Sequence, residues 1–71
     1  MNRFSEREAQ VVELLSQGNT YKDIAKKLII GETTVKTHMT HIREKLELSE
    51  KHQIVAWYWK NKLNVLNTLN V

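Results

Sequence analysis

Val35, Met39, Ile42 and Leu46 stand at offsets of four, seven and eleven residues, a spacing that keeps all four within one face of a helix. Thr33, Lys36, Thr37, Thr40, His41 and Arg43 fill the opposite and flanking positions, and Glu44 is the sole acid there beyond the first turn. A helix divided in this way must lay its apolar face on a core supplied by the rest of the chain. With 71 residues in all, that core has to come from a few short elements forming one small domain. The exposed face, made of cations and hydrogen-bond donors, suits a phosphate-lined groove.

The remaining elements read as helices as well, because the chain has no Pro, breaks only at Gly18 and Gly31, and repeats its apolar residues at three and four. Ser5 and Glu8 have capping-box spacing, and Val11, Val12 and Leu15 come next on one side, so a first helix is expected over about 6–17, stopped at Gly18. Thr20 with Asp23 marks a second start, and Ile24, Ala25 and Leu28 make the stripe of a two-turn helix that leaves Lys22, Lys26 and Lys27 to solvent. Ile29, Ile30 and Gly31 then break the chain before the amphipathic third helix. Ser49 is expected to cap a fourth helix through about Lys60, with Ile54, Val55 and Tyr58 inward and either Trp57 or Trp59 left on another side. Residues 64–71 alternate apolar residues with Asn and carry no cap, so they are expected to fray or to extend the fourth helix into a partner. The expectation is a single all-α domain over residues 1–71, a four-helix bundle containing a helix-turn-helix whose third helix is the recognition helix.

A formal charge of +3 and an isoelectric point near 9.4 favour a polyanionic partner. Without Cys the chain has neither a disulfide framework nor thiolate ligands, and His38 and His41, three apart on one helix, lack a third ligand at a telling distance. No metal and no cofactor are expected. Nowhere do ~18 apolar residues run together, so the reading is a protein without membrane association, located in the cytoplasm with the nucleoid. The acids are scattered over helix surfaces, and Ser5, Ser16 and Ser49 read as caps or exposed sites, so no enzyme is expected.

The residues go further than the general pattern. Phe4, Ser5, Glu6, Arg7 and Glu8 stand where Leu-Thr-x-Arg-Glu is typical of the LuxR/GerE family of helix-turn-helix domains, and Lys22, Asp23, Ile24, Ala25 and Leu28 stand for its Lys-Glu-Ile-Ala-x-x-Leu. Ile30, Thr34, Val35, Lys36 and His38 match its recognition segment. Ile42, Lys45, Leu46, Leu48, Gln53 and Val55 fit the end of that helix and the start of the next. The chain resembles that family over about residues 4–63 without a gap, including response-regulator effector domains of the NarL/FixJ kind and small stand-alone regulators like GerE. It departs at Gly31, where Ser is usual, at Gln10 for Glu, at Lys51 for Arg, at Ile54 for Ala and at Lys62 for Gly. Gly31 removes a capping hydroxyl, and the bulk of Ile54 and the two Trp bears on the usual fourth-helix dimer contact.

The resemblance implies a sequence-specific transcription regulator that binds double-stranded DNA. It places Lys36, Thr37 and Thr40 at base edges. Thr20, Lys22, Thr33, Thr34, Arg43 and Lys45 are candidates for contact with the sugar-phosphate backbone, because the ends of the two helices approach it and free N–H groups there attract anions. Lys45 also has a structural role open to it, compensating its own helix dipole or pairing with Glu8 across the core. A homodimer through the fourth helix, with Trp57, Trp59 and Lys51 in the contact, would place two recognition helices about one DNA turn apart. The alternative is a protein-interaction module that binds RNA polymerase or a partner regulator through the Trp57, Tyr58, Trp59 cluster. A stand-alone factor and an effector domain are both open.

Overall fold

Two capping boxes fix the first half of the fold. In a computed structural model describing residues 4–63 and 65, Ser5 Oγ accepts from the Glu8 backbone N–H at 3.1 Å, and the Glu8 carboxylate accepts from the Ser5 N–H at 3.0 Å. These bonds start helix α1 (Glu6–Ser16). Thr20 and Asp23 repeat the arrangement at 3.1 and 3.2 Å and start α2 (Tyr21–Leu28); the Thr20 backbone N–H, and then its side chain, hold the Asp23 carboxyl below the usual range. Helix α3 (Glu32–Leu46) begins at Gly31, whose backbone is in the extended region and which supplies no side-chain cap.

Helix α4 (Lys51–Lys60) starts one residue beyond the expected cap. Glu50, not Ser49, is the N-cap, because the Gln53 amide oxygen accepts from both the Ser49 and Glu50 N–H groups, at 3.2 and 2.9 Å. The side chain that organises this start lies downstream of the cap, where a search for hydroxyl caps does not look. Of the stretch 64–71, Val65 is helical and buried, and its other residues lie outside the described set.

Helix α1 is the hub, touching α2, α3 and α4, while α2 packs against α3. Phe4, Val11, Val12 and Leu15 meet Ile24 and Ala25 of α2, Val35, Met39 and Ile42 of α3, and Ile54 and Tyr58 of α4 in one buried cluster. Leu28, Leu46 and Val55, expected inside, are partly buried at its edge. Ile54 is fully buried, so the extra bulk relative to Ala fills the core and does not project from the fourth helix. Trp57 closes the cluster edge-on against Phe4, with ring centres 5.3 Å apart, and Trp59 is left 55% exposed.

The turns differ in conformational cost. Gly18, after α1, has φ +94°, a region open to glycine. Ile29, ending α2, sits at φ 57° and ψ 50° with a β-branched side chain that is 89% exposed. Left-handed backbone costs a non-glycine residue about 1–2 kcal/mol, and here no burial compensates. Ile29→Asn is therefore expected to raise the unfolding free energy by about 1 kcal/mol, because Asn tolerates this conformation. Urea titration of both proteins by circular dichroism tests it; an unchanged or lower midpoint would show that Ile29 makes a compensating contact.

Candidate nucleic-acid interface

Helix α3 carries two separate populations of side chains. Val35, Met39 and Ile42 are fully buried, while Thr33, Thr34, Lys36, Thr37, Thr40 and His41 are exposed. Periodicity alone produces this division: 33, 36, 37 and 40 recur at three and four on the side opposite the core. Lys36, Thr37 and Thr40, the residues expected at base edges, therefore share one exposed stripe, with Thr33 one turn before them.

The two threonines have their protons committed. Thr37 Oγ1 donates to the Thr33 carbonyl at 3.1 Å, and Thr40 Oγ1 donates to the Lys36 carbonyl at 3.2 Å. Each hydroxyl oxygen keeps lone pairs, and each side chain keeps a methyl group, so the stripe presents one cationic donor, two acceptors and two methyl groups.

The helix is tied to α1 by a buried carboxylate. Lys45 Nζ reaches Glu8 Oε1 at 2.5 Å, and His41 Nδ1 lies 3.9 Å from Glu8 Oε2. Burial pushes the Glu8 carboxyl up, but hydrogen bonds from Lys45 and Ser5, with the ammonium charge, outweigh it and hold the group below its usual range. The same carboxylate serves the cap of α1 and the end of α3, so the pairing open to Lys45 is made. A carboxylate with a lowered folded pKa adds stability that is present above the unfolded pKa and lost as pH falls through the folded one. The urea midpoint is thus expected to fall as pH drops below about 4.5, the ordinary Glu value. In Glu8→Gln this acid-side slope should shrink; an equal slope in both proteins would assign acid sensitivity to other carboxylates.

The positions expected at the DNA backbone divide into three settings. Thr20 and Lys22 are exposed at the start of α2, and Thr33 and Thr34 are exposed at the start of α3. Arg43 is half-buried on the flank of α3 and donates from Nη2 to the Tyr21 hydroxyl at 3.0 Å. Lys45, the third setting, is drawn to Glu8. Lys51 stands at the start of α4 with its ammonium 5.0 Å from the centre of the Tyr21 ring. Tyr21 is absent from the residues that the sequence singles out. Its partners are 22 and 30 positions away, and the only hint is a half-buried arginine that needs an acceptor. Of the residues expected in a dimer contact, Trp59 and Lys51 are exposed, and Trp57 is half-buried against Phe4.

Among the described residues no group of three or more His, Cys, Asp or Glu comes together to hold a metal, and no helix is long and apolar enough to cross a membrane. The arrangement of α2 and α3 is that of a helix-turn-helix. The family model for bacterial regulatory proteins, luxR family, matches residues 2–58. The chain belongs to the luxR family.

As a luxR-family helix-turn-helix domain it is a DNA-binding domain of transcription regulation. It is 42% identical over 59 residues to the oxygen regulatory protein NreC of Staphylococcus haemolyticus, covering 83% of this chain and 27% of the relative. The NreC proteins of Staphylococcus epidermidis and Staphylococcus carnosus are similar at 42% and 41% over the same length, again covering 83% of this chain and 27% of theirs. The luxR-family chain thus spans about a quarter of the length of these relatives.

Proposed function

We propose that this domain inserts α3 into the DNA major groove and reads sequence through Lys36, Thr37 and Thr40. The observation that carries the proposal is the exposed stripe of α3, backed by a fully buried face of the same helix. A helix held so firmly on one side can present three side chains to base edges without reordering. Lys36 supplies the donor that guanine O6 and N7 accept. Thr37 and Thr40, with their protons on the helix backbone, favour bases that offer an amino hydrogen or a methyl group: adenine, cytosine or thymine. The recognition site is accordingly expected to hold a guanine for Lys36, beside positions that exclude guanine at the major-groove edge facing each threonine.

Thr20, Lys22, Thr33 and Thr34 lie at two helix starts, where free backbone N–H groups and hydroxyls suit phosphate oxygens, and they are assigned to the DNA backbone. A second copy pairs through α4, for which the exposure of Trp59 and of Leu63 just beyond the helix provides apolar surface. The same surface is what an RNA polymerase or regulator contact would use. In the NreC proteins the matching domain is a fraction of a longer chain, and the role proposed here serves a free-standing factor or an effector domain alike.

Selection from random duplexes by the purified chain, at two salt concentrations, tests the proposal. An enriched two-part motif with half-sites about one helical turn apart supports sequence reading by a dimer. Weak, salt-sensitive binding without enrichment, together with capture of RNA polymerase, would favour the protein-interaction reading.

A further inference from the structure

Three helices bring two positive charges to Tyr21. The Tyr21 side chain projects from the start of α2, Arg43 comes from the last third of α3 and Lys51 from the start of α4. Arg43 Nη2 donates to the phenol oxygen at 3.0 Å, and the Lys51 ammonium stands over the ring at 5.0 Å. Among the described residues neither cation lies within ion-pairing distance of a carboxylate. Glu44 and Glu47 share a hollow with Arg43 without pairing to it, and Thr40 lines the same hollow.

A phenol that accepts a hydrogen bond from a guanidinium has its own proton free to donate, and that donation is strengthened by the charge behind it. Two like charges gathered on one aromatic side chain repel each other, and an anion placed between them reverses that cost. The position also fits, because Arg43 lies three residues after Thr40, one turn on, at the flank of the exposed stripe.

We propose that Tyr21, Arg43 and Lys51 form a seat for one DNA backbone phosphate, with the Tyr21 hydroxyl as donor and the two cations flanking it. This rests on the reading of α3 as the recognition helix and adds α4 to the DNA-facing surface. It moves Lys51 from the dimer contact to the DNA backbone, at the opposite end of α4 from Trp59. Arg43 then acts both as a phosphate ligand and as the group that orients the phenol.

The test compares the wild-type chain with Tyr21→Phe, Lys51→Gln and Lys36→Ala on the selected duplex and on a scrambled one, across a salt series. Thermal unfolding shows that each variant is folded. Tyr21→Phe keeps the ring and removes the hydroxyl, so it is expected to weaken binding to both duplexes by about tenfold without changing the preferred motif. Lys51→Gln is expected to reduce the slope of log affinity against log salt by about 0.9 per bound protomer. Methylphosphonate replacement at the one phosphate of each half-site that occupies the seat should weaken the wild type more than Tyr21→Phe, which keeps the two cations and lacks the phenol donor. Wild-type affinity and slope in both seat variants, with Lys36→Ala still losing the motif, would overturn the seat and leave sequence reading intact. Loss of self-association in Lys51→Gln at an unchanged slope would return that residue to the dimer contact and overturn the seat as well. A wild-type chain that binds neither duplex would remove both proposals.

Discussion

A Lys36→Ala variant is expected to stay folded and to lose most of its preference for the selected duplex. Lys36 is exposed in mid-helix, and alanine is the better helix former, so no core contact or propensity is lost. The side chain supplies the cationic donor of the exposed stripe, and a well-made contact from such a donor to a base discriminates between bases by about 1–3 kcal/mol, or roughly 5- to 150-fold. Competition between the selected and scrambled duplexes measures the effect directly. The ratio of the two affinities should fall by that factor, while affinity for the scrambled duplex falls only modestly through loss of one charge. An unchanged ratio would mean that Lys36 touches phosphate, and base reading would pass to Thr37 and Thr40.

The second large effect is on stability. Ile42→Ala is expected to cost about 2–5 kcal/mol, because Ile42 is fully buried where α3 enters the common core and truncation leaves a cavity lined by neighbours that collapse only partly. A domain of 71 residues has roughly 4–11 kcal/mol to lose at the usual stability per residue, so the variant sits near its unfolding transition at room temperature. Its melting temperature should fall by more than about 10 °C, at roughly 4–8 °C per kcal/mol for a domain of this size. Scanning calorimetry checks this, with Thr33→Ala on the opposite face as a control expected to melt within a few degrees of the wild type. A loss much smaller than about 2 kcal/mol would mean that α3 is held chiefly by the Glu8–Lys45 pair.

What the sequence reveals is whatever depends on neighbours along the chain. Ser5 with Glu8, and Thr20 with Asp23, announce their helices because a capping box closes within four residues. The apolar face of α3 is equally visible, since helical periodicity alone puts Val35, Met39 and Ile42 together. The exposure of Lys36, Thr37 and Thr40 comes from the same periodicity, so the core of the candidate site is legible along with the helix that carries it. The cap at Glu50 is hidden because glutamate is not among the short polar side chains that favour the N-cap position, so Ser49, one residue earlier, is read in its place. Ile29 reads as a break, but nothing local distinguishes a left-handed isoleucine from an ordinary turn residue. Tyr21, Arg43 and Lys51 come from three separate helices, and only their packing brings them together. The local pattern therefore gives the exposed stripe of α3, and the tertiary arrangement gives its electrostatic surroundings.

The two-sidedness of α3 also bears on how such a domain can diversify. Residues 33, 36, 37 and 40 are exposed on the side of the helix away from buried Val35 and Met39, so their identities can change while the core is held constant. Substitutions there are expected to add nearly independently to those in the interior. A library randomised at these four positions should therefore be populated mostly by folded members with altered operator preferences. A lineage carrying this scaffold can drift toward new target sites by single steps, without passing through unfolded intermediates.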